Sequence, residues 1–324
     1  MTKYSQTTPS AKPANRLGER YFFIEGIRIS AKSLAPGLHV VATPIGNLED
    51  VTLRALHVLA SADRIYCEDT RITRRLLDRY QIETSMSVYD DYASHRVRED
   101  IGRRIAAGQA IALVSDAGTP LISDPGFKLV RLLRGSGHGI FAIPGPSALT
   151  AAASIAGIAS NRLCFIGFLP TKMGARRKVI EEFQSVPATL MLYESPRRLE
   201  KTLVDLVDIL GPREGVIARE LTKINEEVVC GMLDQLSARY AGAPVKGEIV
   251  ILVSAAEPLK ASPEELDAAI YVELESKTVR DAAAAVAARF SVSRRDVYDR
   301  ALALKTQAPI SGVQKKLLGD EESM

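Results

Sequence analysis

The feature that most constrains the fold of this chain is an apolar, strand-like run followed at once by a polar loop that contains glycine. Residues 110–114 are apolar, and residues 115–120 supply small polar side chains, glycine and proline. A short apolar run between turn residues is typical of a buried strand in a parallel sheet. A helical period resumes over residues 127–133, and the sequence predicts Asp124 as its N-cap and Pro125 as its first residue. This unit predicts a small-ligand site, because ligands of open α/β sheets bind beyond the carboxyl ends of the strands.

The same unit recurs along the first half of the chain. Residues 38–43, 64–67 and 140–143 are further apolar runs, each followed by a loop and a helical pattern. Strands that alternate with helices favour a parallel, doubly wound sheet, which we expect over residues 38–157. Three of its loops, rich in glycine, proline and small polar residues, would then line one edge of the sheet. Each loop alone is typical of a tight turn, but together they favour a flat, nucleoside-like ligand.

The second half of the chain has a different pattern of predicted strands and helices. Its predicted strands are residues 163–168, 189–193, 216–219, 227–231 and 248–253, of which the last three are closely spaced and favour a mixed sheet. Beyond residue 258 the pattern becomes helical, with predicted helices over residues 263–274, 278–290 and 293–304. We therefore divide the chain into a basic, partly disordered tail (1–36), an N-terminal α/β domain (37–158), a second α/β domain (159–257), and a helical module with a tail (258–324).

The charge of the chain is balanced overall and basic at both ends. A formal net charge of +3 over 324 residues gives no general attraction to a polyanion, so a nucleic-acid surface must be local. Residues 1–33 carry six Lys or Arg against two Glu, and residues 277–316 carry nine against three Asp. Both ends are therefore candidate contacts for an acidic partner.

The cysteines and the apolar runs indicate the compartment. Cys67, Cys164 and Cys230 are far apart in strand-like runs, which predicts buried free thiols in a reducing environment. The four histidines have no ligand spacing, so we expect no metal site. The sequence shows no signal peptide and no apolar run long enough to span a bilayer. We expect a cytoplasmic protein that contacts no membrane.

Eight strings in the two α/β blocks carry a resemblance to a known family. In chain order they are TPIGNLEDVTLRAL, EDTRITRRLL, LVSDAGTPLISDPG, PGPSA, GFLPTK, YESPRR, ARELTK and KGEIVILV. Through them, residues 38–255 resemble the tetrapyrrole methylase superfamily, the class III S-adenosylmethionine (SAM) methyltransferases with two α/β domains and the cofactor in the cleft between them. The expected fold class is thus α/β with two domains of this type, plus the helical C-terminal module.

Within that superfamily, the strings are most similar to the branch that acts on ribosomal RNA. This resemblance implies SAM-dependent methylation of the ribose 2′-oxygen of a cytidine in the decoding region of small-subunit (16S) rRNA by a homodimer. The implied partners are small-subunit rRNA or the 30S particle, and not DNA. The chain departs from the family at residues 89–95, YDDYASH, where the family usually has a histidine-rich stretch.

Matching the superfamily's loops implies which residues hold the cofactor. From the first domain they are Thr43, Asp116, Gly118, Thr119, Pro120, Ile122, Ser147 and Ala148, and from the second they are Tyr193, Ala218 and Gly247. Most of these contacts would come from the backbone, so Asp116 is the position where a side chain should matter most. Its alternative role is a loop or helix cap.

A ribose hydroxyl needs a proton acceptor, and several acids are candidates. They are Glu68, Asp69, Asp91, Glu194 and Glu220, among which the residue pattern does not choose. Glu68 and Asp69 end a predicted strand beside Arg71, so we predict them as the catalytic pair. The alternative is an ion pair at the end of a strand.

Basic clusters near the predicted cleft are candidate RNA contacts, because RNA binding needs a positive surface. They comprise Arg71, Arg74, Arg75, Lys172, Arg176, Arg177 and Lys223. Any one cluster is equally typical of a solvated surface, but clusters around one cleft favour RNA. Two other functions stay open: methylation of a corrin or porphyrin ring carbon, and SAM or RNA binding without catalysis.

Overall fold

The structure is a computed structural model that describes residues 20–90, 93–256, 262–290 and 292–306. The chain divides into two compact units, with the boundary between Ala255 and Ala256. The first unit contains β1 (Tyr21–Ile24), β2 (Ile27–Ser30), β3 (Gly37–Val41), α1 (Leu53–Ser61), β4 (Arg64–Cys67), α2 (Thr70–Arg79), β5 (Met86–Val88), α3 (His95–Ala106), β6 (Ala110–Leu113), α4 (Phe127–Gly135), β7 (Ile140–Ile143), α5 (Ala148–Ile155), β8 (Leu163–Phe168), α6 (Met173–Glu182), β9 (Thr189–Glu194), α7 (Leu199–Leu210), β10 (Glu214–Arg219), β11 (Glu227–Met232), α8 (Leu233–Tyr240) and β12 (Ile249–Val253).

The first sheet is parallel throughout, as the alternation of strands and helices predicted. Its strand order is β5-β4-β6-β3-β7. The central strand β6 is buried along its whole length because helices cover both faces of the sheet. Ile111 packs with α3 and α4 on one face, and Ala112 packs with α1 and α2 on the other. Every βα loop therefore emerges at the same edge, beyond the carboxyl ends of the strands.

The second sheet is mixed, as the closely spaced strands predicted. Its order is β11-β10-β12-β9-β8, in which β8 and β9 are parallel and the other pairs are antiparallel. Leu203 and Leu206 of α7 and Ile251 of β12 lie in its core and are almost completely buried. Each such side chain contributes about 1.5–3 kcal/mol through burial of apolar surface.

Several local predictions were wrong or incomplete. Residues 21–30, which the sequence pattern assigned to the basic, partly disordered tail, form the antiparallel hairpin β1-β2, and Phe22 anchors that hairpin in the core of the first sheet. Helix α4 begins at Phe127, two residues later than predicted, and its N-cap position is Gly126 with φ of 133°. Asp124 is therefore not the cap, because the chain reaches the helix through a left-handed glycine that no side chain could replace without strain.

The cysteines are less uniformly buried than predicted. All three are free thiols, but only Cys67 is buried, whereas Cys164 is partly exposed and Cys230 is exposed. Cys230 lies in β11, which forms one edge of the second sheet.

The second unit comprises helices α9 (Pro263–Leu274), α10 (Val279–Phe290) and α11 (Arg294–Thr306). Its core contains Ile270, Val286, Val297 and Leu304, one or two from each helix. The side chains of Thr278 and Ser293 stand at the starts of α10 and α11, where their hydroxyl oxygens accept hydrogen bonds from the backbone N–H groups three residues on. In the portion of the chain described, no helix is long and apolar enough to cross a membrane.

Candidate active site

A cleft opens where the carboxyl ends of β3, β4, β6 and β7 face the second sheet. Its volume is about 410 Å³, which suits a small molecule because such sites occupy roughly 300–1,000 Å³. The residues that line it are Ile45, Glu68, Asp116, Ala117, Gly118, Thr119, Ile122, Ser123, Asp124, Ser147, Ala148, Phe168, Tyr193, Glu194, Ser195, Pro196, Leu221, Gly247, Glu248, Ile249 and Val250. We call this space the cleft.

Three loops of the first sheet are tied together at one wall of the cleft. The backbone of Thr43 exchanges two hydrogen bonds with Gly118, at 2.8 and 3.0 Å. The Thr43 hydroxyl donates to the carbonyl of Ser115 at 3.2 Å, and the Thr119 hydroxyl donates to that of Pro146 at 3.1 Å. The loops after β3, β6 and β7 therefore form one rigid wall that presents backbone groups to a ligand.

The predicted cofactor residues fall into two groups. Those that line the cleft are Asp116, Gly118, Thr119, Ile122, Ser147, Ala148, Tyr193 and Gly247. Thr43, Pro120 and Ala218 are buried behind its surface. Thr43 braces the loop after β6, and Ala218 packs in the core beneath the second sheet, so we interpret these residues as supports for the wall.

Backbone strain is concentrated in two loops of the cleft. Leu121 and Ser123 have φ of 73° and 64°, and Glu220 and Thr222 have φ of 52° and 64°. These left-handed conformations cost a non-glycine residue on the order of 1 kcal/mol and persist where the surroundings enforce them, often at functional sites. The loop after β6 and the loop after β10 are therefore held in strained conformations by the structure around them, which is common at functional sites.

The loop after β10 contacts the first sheet. The Asn47 backbone N–H donates to the Thr222 hydroxyl at 3.0 Å. A Cβ at Gly46 would lie 2.5 Å from Cγ of Lys223, so Gly46 permits this close approach. The Lys223 ammonium donates to the carboxylates of Glu220 at 2.8 Å and Glu248 at 3.1 Å. This network closes one end of the cleft.

Gly247 is required by the same network. Its φ is 89°, and an added Cβ would lie 2.3 Å from the carboxylate carbon of Glu220. The hydrogen bond from Lys223 lowers the pKa of Glu220. Burial opposes the charge of Lys223, but hydrogen bonds to Glu220 and Glu248 outweigh it and raise the pKa of Lys223. Glu220 is consequently held as an ion-paired carboxylate and is a poor proton acceptor.

The cleft is lined by carboxylates and by no described cationic side chain. The five acids are Glu68, Asp116, Asp124, Glu194 and Glu248. Asp116 accepts a hydrogen bond from the Asp69 backbone N–H at 3.0 Å, which joins the loops after β6 and β4. Burial raises the pKa of Asp116 despite that hydrogen bond. Glu194 and Glu248 are paired with Arg198 and Lys223, which do not line the cleft. The lining itself is acidic and favours a ligand with positive charge over one with negative charge.

Asp69 does not line the cleft, and its geometry argues against a role as a base. It is the N-cap of α2, accepting from the Arg71 backbone N–H at 2.8 Å, and it also pairs with the Arg71 guanidinium at 2.6 Å. The side-chain hydrogen bonds from Arg71 lower the pKa of Asp69 to about 2. A carboxylate stabilised in this way accepts a proton poorly, so Glu68 is the member of the predicted pair that the cleft contains.

The surroundings of the remaining candidate acids also bear on whether they could accept a proton. Glu194 is buried, accepts from the Thr202 hydroxyl at 2.6 Å and pairs with Arg198 at 3.2 Å. Asp91 lies outside the described residues. Burial, followed by the charges of Asp124 and Glu248, raises the pKa of neighbouring Tyr193 to about 12, so its phenol stays neutral.

The predicted RNA-binding residues are placed unequally. Arg71, Arg74, Arg75 and Lys172 are exposed. Arg177 is partly exposed and pairs with Asp205 and Asp208. Arg176 is only 4% exposed, and its guanidinium pairs with Asp205 at 2.6 Å. The prediction that Arg176 contacts RNA is therefore wrong for this fold, because the Arg176 guanidinium is buried between α6 and α7 in an ion pair with Asp205.

Several residues of the cleft were missed by sequence reasoning. They include Ile45, Ala117, Ser123, Asp124, Phe168, Ser195, Pro196, Leu221, Glu248, Ile249 and Val250. Phe168 and Ser195 could have been predicted from the sequence, since each stands at the carboxyl end of a parallel strand of the second sheet, where ligands bind. Glu248 could not have been predicted in this way, because it precedes β12. Only the antiparallel direction of β12 brings Glu248 to the same edge of the sheet.

Comparison with protein families gives two matches. The family described as Tetrapyrrole (Corrin/Porphyrin) Methylases matches residues 37–237. The RsmI C-terminal HTH domain matches residues 260–305.

The chain is also similar to curated proteins named ribosomal RNA small subunit methyltransferase I. The protein of Mesorhizobium japonicum is 44% identical over 280 residues, covering 86% of this chain and 95% of the relative. That of Erythrobacter litoralis is 46% identical over 279 residues, covering 86% and 98%. That of Escherichia coli O157:H7 is 43% identical over 242 residues, covering 74% and 84%.

Solved structures share the fold at lower identity. The methyltransferase CobJ is 20% identical with a TM-score of 0.53, covering 68% of this chain and 94% of that chain. A diphthine synthase is 16% identical with a TM-score of 0.52, covering 67% and 89%.

Proposed function

Because the chain belongs to the tetrapyrrole methylase family, and within it to the ribosomal RNA small subunit methyltransferases I, we propose that it transfers a methyl group from SAM to the ribose 2′-oxygen of a cytidine in small-subunit rRNA. The observation that carries this proposal is the acid-lined cleft at the carboxyl ends of the parallel strands. A cationic cofactor suits that cleft, and a neutral nucleoside can approach it.

The described residues fit SAM well. SAM, when bound, supplies a methyl group on a positively charged sulfonium. Gly118, Thr119, Ser147 and Ala148 offer backbone groups with little side-chain bulk, as a nucleoside portion requires. Asp116 supplies a carboxylate that the Asp69 backbone holds in place. These residues would bind the cofactor, and the rigid wall formed by the three loops would orient it.

Glu68 is the residue we propose as proton acceptor. It lines the cleft next to Asp116, whereas Asp69 is engaged at the start of α2. A hydroxyl becomes an effective nucleophile as it loses its proton, and a positioned base contributes about 10²- to 10⁴-fold to such a step. Glu68 would take the proton from the 2′-hydroxyl, while the wall of the cleft keeps the acceptor oxygen aligned.

The exposed cations would hold the RNA outside the cleft. Arg71, Arg74 and Arg75 project from α2, which begins at Thr70, two residues after Glu68, and Lys172 stands just before α6. Phosphate groups are bound by such side chains, and the acidic lining repels them from the interior. The ribose and base would then enter while the backbone stays at the rim.

The acidic lining also discriminates against the alternative substrate. A carboxylate-bearing tetrapyrrole would bring further negative charge beside five acids, and the cleft presents no described Lys, Arg or His to neutralise it. A nucleotide of RNA can enter the same cleft with its neutral base and ribose, while the charged phosphates stay outside.

The assay for this proposal is transfer of labelled methyl from SAM to purified small subunits and, in parallel, to their naked rRNA. We expect incorporation with wild-type protein and a loss of about 10²-fold or more with Glu68→Gln at unchanged SAM affinity. Asp69→Asn is the control, because asparagine is an equally good N-cap and should preserve turnover. Loss of turnover in Asp69→Asn but not in Glu68→Gln would move the base to Asp69.

The homodimer implied by the resemblance remains a prediction. Sedimentation equilibrium of the full chain tests it directly, with a dimer mass expected at micromolar protein. A monomer that still methylates small subunits would remove the dimer from the proposal and leave the chemistry intact.

A further inference from the structure

Phe168 is an aromatic side chain that the fold leaves largely exposed. It is the last residue of β8 and 56% exposed, although it lines the cleft. The β8-β9 pairing shifts register between Phe165 and Gly167, and Gly167 has φ of 80°. Such a bulge redirects the side chain that follows, and bulges are frequent beside active sites. The bulge thus accounts for the exposure of the phenyl ring that directly follows the buried Gly167.

Neighbouring residues hold the Phe168 ring in place. Tyr193 lies 5.5 Å away between ring centroids at an interplanar angle of 57°. Tyr193 is itself fixed against Phe165 at 4.9 Å and 65°. The three rings form a short aromatic row in which Phe168 is the exposed end. A face that is both rigid and accessible is what base stacking needs.

Charge determines which part of an RNA strand can meet this ring. The acids of the cleft repel phosphate, whereas a nucleobase and its ribose are neutral. A base that is stacked and paired within a helix presents neither face to a protein ring, so it must leave the helix before it can stack on one. The part that fits is a single nucleotide turned out of its strand.

We propose that Phe168 is the stacking platform for the base of the methyl-accepting nucleotide, which enters the cleft unpaired and turned out from the RNA. This inference rests on the proposed function. It adds to it a residue and a requirement on the substrate: the acceptor nucleotide is free of its base pair when it reacts. The stack holds the ribose at the mouth of the cleft beside Glu68.

The test combines a protein change with a substrate change. Phe168→Ala is assayed on small-subunit RNA with the intact acceptor nucleotide and on the same RNA made abasic at that position, which keeps the ribose 2′-hydroxyl. With intact RNA we expect kcat/KM to fall roughly 5- to 150-fold, the range for loss of one base-aromatic stack. With abasic RNA, wild type and Phe168→Ala should be equally slow, because the partner of the ring is already gone.

Matched variants separate stacking from structural damage. Phe168→Tyr keeps a ring and should retain most activity, whereas Phe168→Leu keeps only the apolar bulk and should behave like the alanine variant. Leu163→Ala removes another partly exposed apolar side chain from the opposite end of β8 and should leave kcat/KM unchanged. Calorimetry should show the same SAM affinity in all four variants.

Three results would overturn the inference. A fall in SAM affinity in Phe168→Ala would assign the ring to the cofactor. An equal loss on intact and abasic RNA would assign it to folding or to the RNA backbone. Full activity of Phe168→Leu would show that apolar bulk suffices. An inactive wild type would instead contradict the proposed function, so the two failures are distinguishable.

Discussion

Replacing Arg176 by methionine separates a structural role from an RNA-binding role at a position where the sequence predicted RNA binding. The Arg176 and Asp205 side chains are 5% and 4% exposed and lie 2.6 Å apart. Removing one partner of a buried ion pair costs about 3–5 kcal/mol, because the other charge stays buried. Asp205 also pairs with Arg177 at 2.8 Å, so we expect the lower end, about 3 kcal/mol.

Thermal and urea unfolding followed by far-UV circular dichroism measure this cost, since the chain has no tryptophan. For a folded unit of this size, about 3 kcal/mol corresponds to a drop in Tm of about 6–12 °C. Arg177→Met is the control: that side chain is partly exposed, and we expect a loss of about 1 kcal/mol or less.

RNA affinity provides the second measurement for the same variants. Folded Arg176→Met protein, assayed well below its Tm, should bind RNA with the wild-type affinity and salt dependence. The double variant Arg176→Met, Asp205→Leu should recover part of the lost stability, since apolar side chains can replace a buried pair. A variant Arg176→Met that melts with the wild type and binds RNA more weakly would refute the buried-pair interpretation.

Three further predictions concern the cleft and its rim. Burial raises the folded-state pKa of Asp116, so the charge of Asp116 lowers the stability of the protein at neutral pH. The variant Asp116→Asn should therefore have a higher Tm than the wild type at pH 7 without ligand, and the difference in Tm should shrink as the pH falls through that pKa. Calorimetry should show weaker SAM binding by the same variant. Replacing Arg74 and Arg75 together by alanine should lower RNA affinity and reduce the slope of log affinity against log salt concentration by up to about two, with SAM affinity unchanged. An unaltered slope would show that neither arginine contacts RNA phosphates. Gly247→Ala should weaken SAM binding by displacing Glu220, and a variant with wild-type affinity would show that the loop adjusts freely.

Much of the architecture follows from local patterns in the chain. The apolar runs at 64–67, 110–114 and 140–143 are strands of one parallel sheet, because a strand buried on both faces needs continuous apolar residues. The hairpin of residues 21–30 was less visible in the sequence, since each of its strands has only four residues and β2 is mostly exposed. The position of the hairpin depends on Phe22, whose side chain packs with residues of α1 and α2 that lie more than 30 positions further along the chain.

The site could be predicted only to the level of loops. Asp116, Gly118 and Thr119 follow a strand, and the rule that ligands bind at carboxyl ends places them correctly in the cleft. Asp69 and Glu68 are adjacent in sequence, and only the start of α2 shows that one caps a helix while the other faces the cleft. Arg176 and Arg177 are likewise neighbours, and the packing of α6 on α7 decides which is buried.

The most direct test of the central claim is the chemical position of the transferred methyl group. Small subunits methylated by the wild-type protein with labelled SAM would be digested to nucleosides and analysed by mass spectrometry. A single labelled 2′-O-methylcytidine, absent when Glu68→Gln replaces the wild type, is the predicted result. Label on a base, or no label from folded protein that binds SAM, would contradict the account.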